Sequence, residues 1–178
     1  GLGAGVPVLQ ALGHEVIQLP TVILSNHPGH AAVAGQTIAP DHLGAMLAAL
    51  QTNGWLADIA AIVTGYLPAP GHVQFAAEAV RLVRELSRAA VYICDPILGD
   101  DPKGLYIDTQ AAAAIRERLV PLADVITPNR FELAWLTGRP VTEPQGCRGA
   151  AEMLDGPDVV ATSIPAGSDA SGRLMIGN

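Results

Sequence analysis

A chain of 178 residues, 49% hydrophobic and 15% charged, is long enough to bury one substantial core, and a single globular domain over residues 1–178 is expected. Its 17 acidic residues against 10 basic ones leave a net charge of −7, which repels a phosphate backbone over most of the surface and argues against nucleic acid as a partner. The two cysteines, Cys94 and Cys147, form neither a C-x-x-C pair nor a disulfide framework, as suits a reducing cytoplasm, and aliphatic runs such as Ile59 to Val63 fall far short of the roughly 20 residues of a membrane helix.

In chain order, Gly1 to Pro7 carries no basic region of the kind that opens a secretory signal. Gly1-Leu2-Gly3-Ala4-Gly5 has no strand before it, so its glycine spacing is a weak basis for a phosphate loop and a dinucleotide site is not inferred. Strands are expected near Glu15 to Leu19, Ile59 to Thr64, Ala90 to Asp95, Asp124 to Thr127, Asp158 to Thr162 and Arg173 to Ile176. They alternate with alanine- and leucine-rich segments, the signature of βαβ units and of a mostly parallel sheet covered by helices. Asp41 stands where an N-cap would open a helix running to Asn53, with Gly54 where a left-handed cap is wanted. Over Gly71 to Arg88, the helical spacing of Val73, Ala76, Ala77, Val80 and Val83 predicts an amphipathic covering helix. Asp108 or Thr109 is expected to open a third helix, and another starts near Arg130, after the turn that Pro128 imposes. Ala166 to Gly172 reads as a hairpin turn before the last strand.

Ligands of an open parallel sheet bind outside the carboxyl ends of its strands, so polar residues directly after a strand carry the functional interest. Four such clusters occur: Thr64-Gly65-Tyr66, Cys94-Asp95-Pro96-Ile97-Leu98-Gly99-Asp100, Thr127-Pro128-Asn129-Arg130-Phe131-Glu132 and Thr162-Ser163. A fifth, Ser25-Asn26-His27-Pro28-Gly29-His30, follows the β-branched run Thr21 to Leu24. A lone Asp-Pro reads first as a turn, but Asp95 and Asp100 on one loop with Glu132 on a neighbouring one would also suit a hydrated Mg²⁺ beside nucleotide phosphates. Turn statistics alone make Thr127 and Asn129 turn-formers; next to ATP they would hydrogen-bond phosphate oxygens or a monovalent cation. Tyr66 and Tyr106 read equally as core-edge aromatics and as rings that stack on a flat heteroaromatic substrate. His27 and His30 without a third ligand are poor evidence for zinc.

Taken together these clusters, with Leu9-Gln10-Ala11-Leu12-Gly13-His14-Glu15-Val16, resemble the pyridoxal kinases of the ribokinase superfamily in order and approximate spacing over the whole chain. The resemblance implies a three-layer α/β/α sandwich, incomplete here at both ends, and ATP-dependent phosphorylation of the 5′-hydroxyl of a B6 vitamer. A related hydroxymethylpyrimidine or sugar kinase, and a non-catalytic vitamin- or nucleotide-binding homologue, are the alternatives. It implies a pyridoxal-facing wall at Val22, Leu24, Ser25 and His27, with Tyr66 across the ring. ATP contacts fall to Asp95, Tyr106, Asn129, Glu132 and Thr162, and the metal side to Asp95, Asp100, Thr127 and Glu132. Mg²⁺, K⁺, a homodimer and a cytoplasmic location follow from the same resemblance.

The departures are specific. Leu2 stands where the family has an asparagine, and Val33 where a tryptophan is common. The family's Gly-x-Gly-Asp motif, whose aspartate deprotonates the alcohol, has no match, and neither does the first strand. Since general-base catalysis is worth roughly 10² to 10⁴ in rate, residues 1–178 by themselves are expected to be nearly inactive.

Overall fold

The computed structural model describes residues 2–168 and 174–177, and the chain divides into two compact units, residues 1–55 and 56–178. In the first unit, helix α1 (Leu2–Ala11) precedes a β-hairpin of β1 (Val22–Leu24) and β2 (Gly35–Thr37), and helix α2 (Pro40–Thr52) follows. The hairpin pairs antiparallel with Val22 opposite Thr37 and Leu24 opposite Gly35. A Cβ at position 35 would lie 2.1 Å from the Ile23 carbonyl oxygen, so this close approach of two backbones needs a glycine.

Two expectations for this unit change. Residues 15–19 form no strand, because a strand requires a hydrogen-bonding neighbour and this stretch has none among the described residues. Helix α2 starts one residue before Asp41: Ala39 is its N-cap and Pro40 its first residue, where a fixed φ and the missing N–H cost nothing. Asp41 instead lies in the first turn, where its charge complements the helix dipole. Gly54 takes the left-handed conformation expected of it, at φ +76°.

The second unit contains a four-stranded parallel sheet in the order β3 (Ala61–Thr64), β4 (Val91–Cys94), β7 (Val125–Ile126), β8 (Asp158–Val159). Helix α3 (Pro70–Leu86) connects β3 to β4, and buries Val73, Ala76, Ala77, Val80 and Val83 as their spacing requires. Between β4 and β7 run a short hairpin, β5 (Gly99–Asp100) with β6 (Gly104–Leu105), then helix α4 (Thr109–Ala114) and a π turn over Ile115–Leu119. Asp108 caps α4, its carboxylate accepting the Gln110 and Ala111 amides. Helices α5 (Arg130–Thr137) and α6 (Pro144–Ala151) connect β7 to β8.

One apolar cluster joins α3, α4 and the π turn to the sheet through Val80, Ala112, Ile115, Leu119, Tyr92 and Ile126, and a second joins α5 to α6 through Leu133, Val141, Ala150 and Ile164. Each fully buried Val, Leu or Ile of this kind contributes roughly 1.5–3 kcal/mol. Beyond β8, β9 (Ile164–Ser168) and β10 (Leu174–Gly177) pair antiparallel, so Ala166 to Ser168 continue a strand, and the remainder of the expected turn lies outside the described residues.

Candidate functional site

The carboxyl ends of the parallel strands are joined into one rim by backbone hydrogen bonds that continue past the strands themselves. The Asp95 amide donates to the Thr64 carbonyl at 3.0 Å, the Thr127 amide to Cys94 at 3.1 Å and the Thr162 amide to Pro128 at 2.9 Å. Asn129 and Thr162 complete the run as a parallel bridge. Asp95, Thr127, Asn129 and Thr162 are thereby set side by side, all half-buried.

At the Asp95 carboxyl, burial pushes the pKa above the ordinary carboxylate range, and a hydrogen bond with the Thr127 side chain opposes that rise. Glu132 is only 3% exposed. Burial is the main cause of its own raised pKa; amide bonds from Asn129 and Leu98 oppose it, and the nearby charge of Asp95 adds to it. Loss of water is thus the main cause at both carboxyl groups, and the charge of Asp95 adds to the rise at Glu132.

Glu132 has a second, structural task, as a cap and a clamp. Its Oε2 accepts the Asn129 amide at 2.8 Å while the Asn129 side chain accepts the Glu132 amide at 2.9 Å, a reciprocal cap on α5. Its Oε1 accepts the Leu98 amide at 2.9 Å, and Asn129 Nδ2 donates to the Gly99 carbonyl at 2.9 Å. The β4–β5 loop is therefore clamped to the start of α5. Among the described residues no group of three His, Cys, Asp or Glu side chains is placed to ligate a metal directly.

Asp100 and Tyr106 project from the β5–β6 hairpin. Asp100 is exposed, with its carboxylate accepting the Asp101 amide at 2.9 Å. Tyr106 is 46% exposed, and partial loss of water followed by the charges of Asp100 and Glu132 pushes its phenol up. A Cβ on Gly99 would fall 2.2 Å from the Gly104 carbonyl oxygen, so the hairpin closes only with glycine there. Arg130 holds the hairpin from the other side by an ion pair with Asp101, and also donates to the Val141 carbonyl at 3.3 Å. Neither the Arg130–Asp101 pair nor the glycine requirement carried a signal in the sequence. The capping box did: an Asn three residues before a Glu at a helix start.

At the end of β3, Thr64 Oγ1 and Tyr92 Oη share a 2.7 Å hydrogen bond in the core, beside Cys94, whose thiol burial pushes up to about 11. Tyr66, two residues on, is half-buried against the same core. Among the described residues of the unit, two that are not glycine have left-handed backbones, Ile97 at φ +41° and Ser163 at φ +57°, both in strand-end loops.

The remaining candidates, Val22, Leu24, Ser25 and His27, belong to the first unit. Val22 and Leu24 share one face of β1, half-buried and exposed respectively. The loop that follows is self-braced: the Ala34 amide donates to Ser25 Oγ at 3.0 Å, Asn26 Nδ2 to the Ala32 carbonyl at 3.1 Å and the Gly29 amide to His27 Nδ1 at 3.1 Å. A neutral His27 that accepts at Nδ1 carries its proton on Nε2, where it is a donor.

The helix-covered parallel sheet is α/β, and its likeness to solved pyridoxal kinases, at a TM-score of 0.85 to that of Entamoeba histolytica, places it in the ribokinase-like class. The profile of the phosphomethylpyrimidine kinase family matches residues 37–164, and the chain belongs to that family. It is 38% identical over 138 residues to pyridoxal kinase PdxY of Leifsonia xyli subsp. xyli, covering 78% of this chain and 49% of that protein. With pyridoxal kinase PdxY of Granulibacter bethesdensis it shares 33% identity over 181 residues, covering 98% of this chain and 63% of the relative. The chain thus spans about half to just under two-thirds of the length of these relatives. It also superposes on the pyridoxal kinase of Leishmania donovani in complex with ADP and pyridoxamine with a TM-score of 0.84 and 33% identity, over 89% of this chain and 56% of that one.

Proposed function

We propose that this chain contributes the scaffold and the nucleotide-side rim of a pyridoxal kinase, which transfers the γ-phosphoryl group of ATP to the 5′-hydroxyl of pyridoxal, pyridoxine or pyridoxamine. The observation that carries this reading is the hydrogen-bonded rim that sets Asp95, Thr127, Asn129 and Thr162 together at the strand ends, in a chain whose relatives include kinases crystallised with ADP and B6 vitamers.

Phosphoryl transfer needs an in-line approach and neutralisation of phosphate charge more than covalent help from the protein. Thr127, Asn129 and Thr162 orient phosphate oxygens in this reading, and Tyr106 covers them from the hairpin. Mg²⁺ would offset the phosphate charge; Asp95 and Asp100 would hold it, and Glu132 would support it through the loop it clamps. K⁺ adds a monovalent charge at the same rim. Toward the vitamin, the first unit by itself offers an apolar and polar surface at Val22, Leu24 and Ser25 and a donor at His27 Nε2, and the second unit by itself offers the ring face of Tyr66. Residues 1–178 bind and orient; the resemblance assigns proton removal to a Gly-x-Gly-Asp aspartate that this sequence does not contain.

Two free cysteines support a cytoplasmic location, and no helix among the described residues is long and apolar enough to cross a membrane. The exposed Val8 of α1 and Leu12, just beyond its end, support a homodimer, to be tested by light scattering.

The family match keeps a pyrimidine substrate as the second reading. Steady-state assay of the full-length protein with ATP and each acceptor decides: B6 vitamers should exceed hydroxymethylpyrimidine in kcat/KM by at least about tenfold. Preference for the pyrimidine overturns the substrate, and binding of both ligands without turnover overturns the kinase in favour of a binding protein.

A further inference from the structure

Ile97 is a β-branched residue in a backbone conformation that such residues avoid, at φ +41°. Strain of this kind persists only where the surroundings over-determine it. Here they do. Pro96 before it is fully buried. After it, the Leu98 amide donates to Glu132 Oε1 at 2.9 Å, the Leu98 carbonyl accepts the Tyr106 amide at 2.7 Å, and the Gly99 carbonyl accepts Asn129 Nδ2 at 2.9 Å.

Glycine or asparagine would make the same turn with less strain, so the isoleucine is there for its side chain. That side chain points at the neighbouring strand end. Its Cδ1 lies 3.3 Å from where a Cβ on Gly65 would be, so the methyl group sits on the bare backbone of Gly65. On one side of Gly65 is Thr64, fixed through its hydroxyl to Tyr92; on the other is Tyr66.

We propose that Ile97 is a positioning residue that couples the two sides of the site: the Glu132–Asn129 clamp holds its backbone, and its side chain, seated on Gly65, fixes the loop that presents Tyr66 to the vitamin. Its kinetic consequence rests on the pyridoxal kinase reading, while its structural core does not.

Two measurements on the full-length protein test it. In kinetics, Ile97→Ala should raise the KM for pyridoxal about tenfold with the KM for ATP within about twofold, and Ile97→Leu, which keeps the reach of the side chain, should restore it. Gly65→Ala should produce the same defect, and Ile97→Val, which removes Cδ1, should suppress it in the double variant. Equal changes in both KM values, or no suppression, overturn the coupling. In hydrogen exchange, the amides of Gly65 and Tyr66 should exchange at least about fivefold faster in Ile97→Gly, even though this variant relieves backbone strain and keeps or raises the Tm. Unchanged exchange there overturns the proposal whether or not pyridoxal is a substrate. A parent protein that does not phosphorylate pyridoxal would sink the functional reading alone, leaving the exchange result to decide this one.

Discussion

Asn129 and Glu132 each hold the other's backbone amide, at 2.9 and 2.8 Å, and each spends its second side-chain group on the loop that leads from β4. The pair is therefore a cap and a clamp at once. Asn129→Ser keeps a cap acceptor but loses the donor to Gly99, whereas Asn129→Ala loses both. Losses of about 1 kcal/mol for the first and about 2 kcal/mol for the second are expected in urea denaturation, from ordinary values for a helix cap and a hydrogen bond. Equal losses would mean that the cap acceptor contributes nothing, and an undiminished Asn129→Ser would mean that the bond to Gly99 contributes nothing.

The β5–β6 hairpin gives a second contrast. Gly99→Ala places a methyl 2.2 Å from a backbone oxygen that has no flexible end to move, so overpacking should cost about 3 kcal/mol. Gly104→Ala meets nothing within 4 Å and carries only the strain of φ +78°, about 1 kcal/mol. Thermal melts of the two variants should rank in that order, and a reversed ranking would contradict the tight closure of the hairpin.

Periodicity made α3 legible because its five apolar positions fall on one stripe, and all five are buried. The strands were legible as short β-branched runs after turn signals, which placed Asp95, Thr127 and Thr162 at the rim. What the sequence concealed depends on contacts distant along the chain. Glu132 reads as an acid near a metal, yet both its oxygens accept backbone amides, one of them 34 residues away. Ile97 reads as an ordinary apolar residue, since a left-handed backbone there is imposed by the clamp and has no local signal. Glu15 to Leu19 has the composition of a strand but no neighbour to pair with among the described residues, and composition does not report neighbours.

The half-buried Asp95 gives a prediction with a definite sign. Because its pKa is raised in the folded protein, chiefly by burial, the native state keeps a proton that the unfolded chain has already released. This contributes stability below the unfolded value and is lost as pH rises through the folded one. Asp95→Asn carries no such proton, so its Tm should gain on that of the parent as pH rises from about 4, the ordinary aspartate value. Melts across the acid range, without nucleotide or divalent cation, measure the difference; a difference independent of pH would return Asp95 to an ordinary carboxylate.

Tyr66 and Asp100 belong to different halves of the proposed reaction, and the two substrates should separate them. Tyr66 is half-buried against the core, and in the proposed reading its ring stacks on a flat heteroaromatic, so Tyr66→Ala should raise the KM for pyridoxal by roughly tenfold and leave that for ATP nearly unchanged. Asp100 is exposed on the hairpin, where a water-mediated hold on Mg²⁺ is worth little binding energy but orients the phosphates. Asp100→Ala should therefore lower kcat and shift the Mg²⁺ dependence to higher concentration, with the vitamin KM unaffected. Assays that vary one ligand at a time distinguish these patterns. If Tyr66→Ala weakens both ligands alike, the ring is a core residue, and if Asp100→Ala responds to no added Mg²⁺, the hairpin carboxylate is a turn-former.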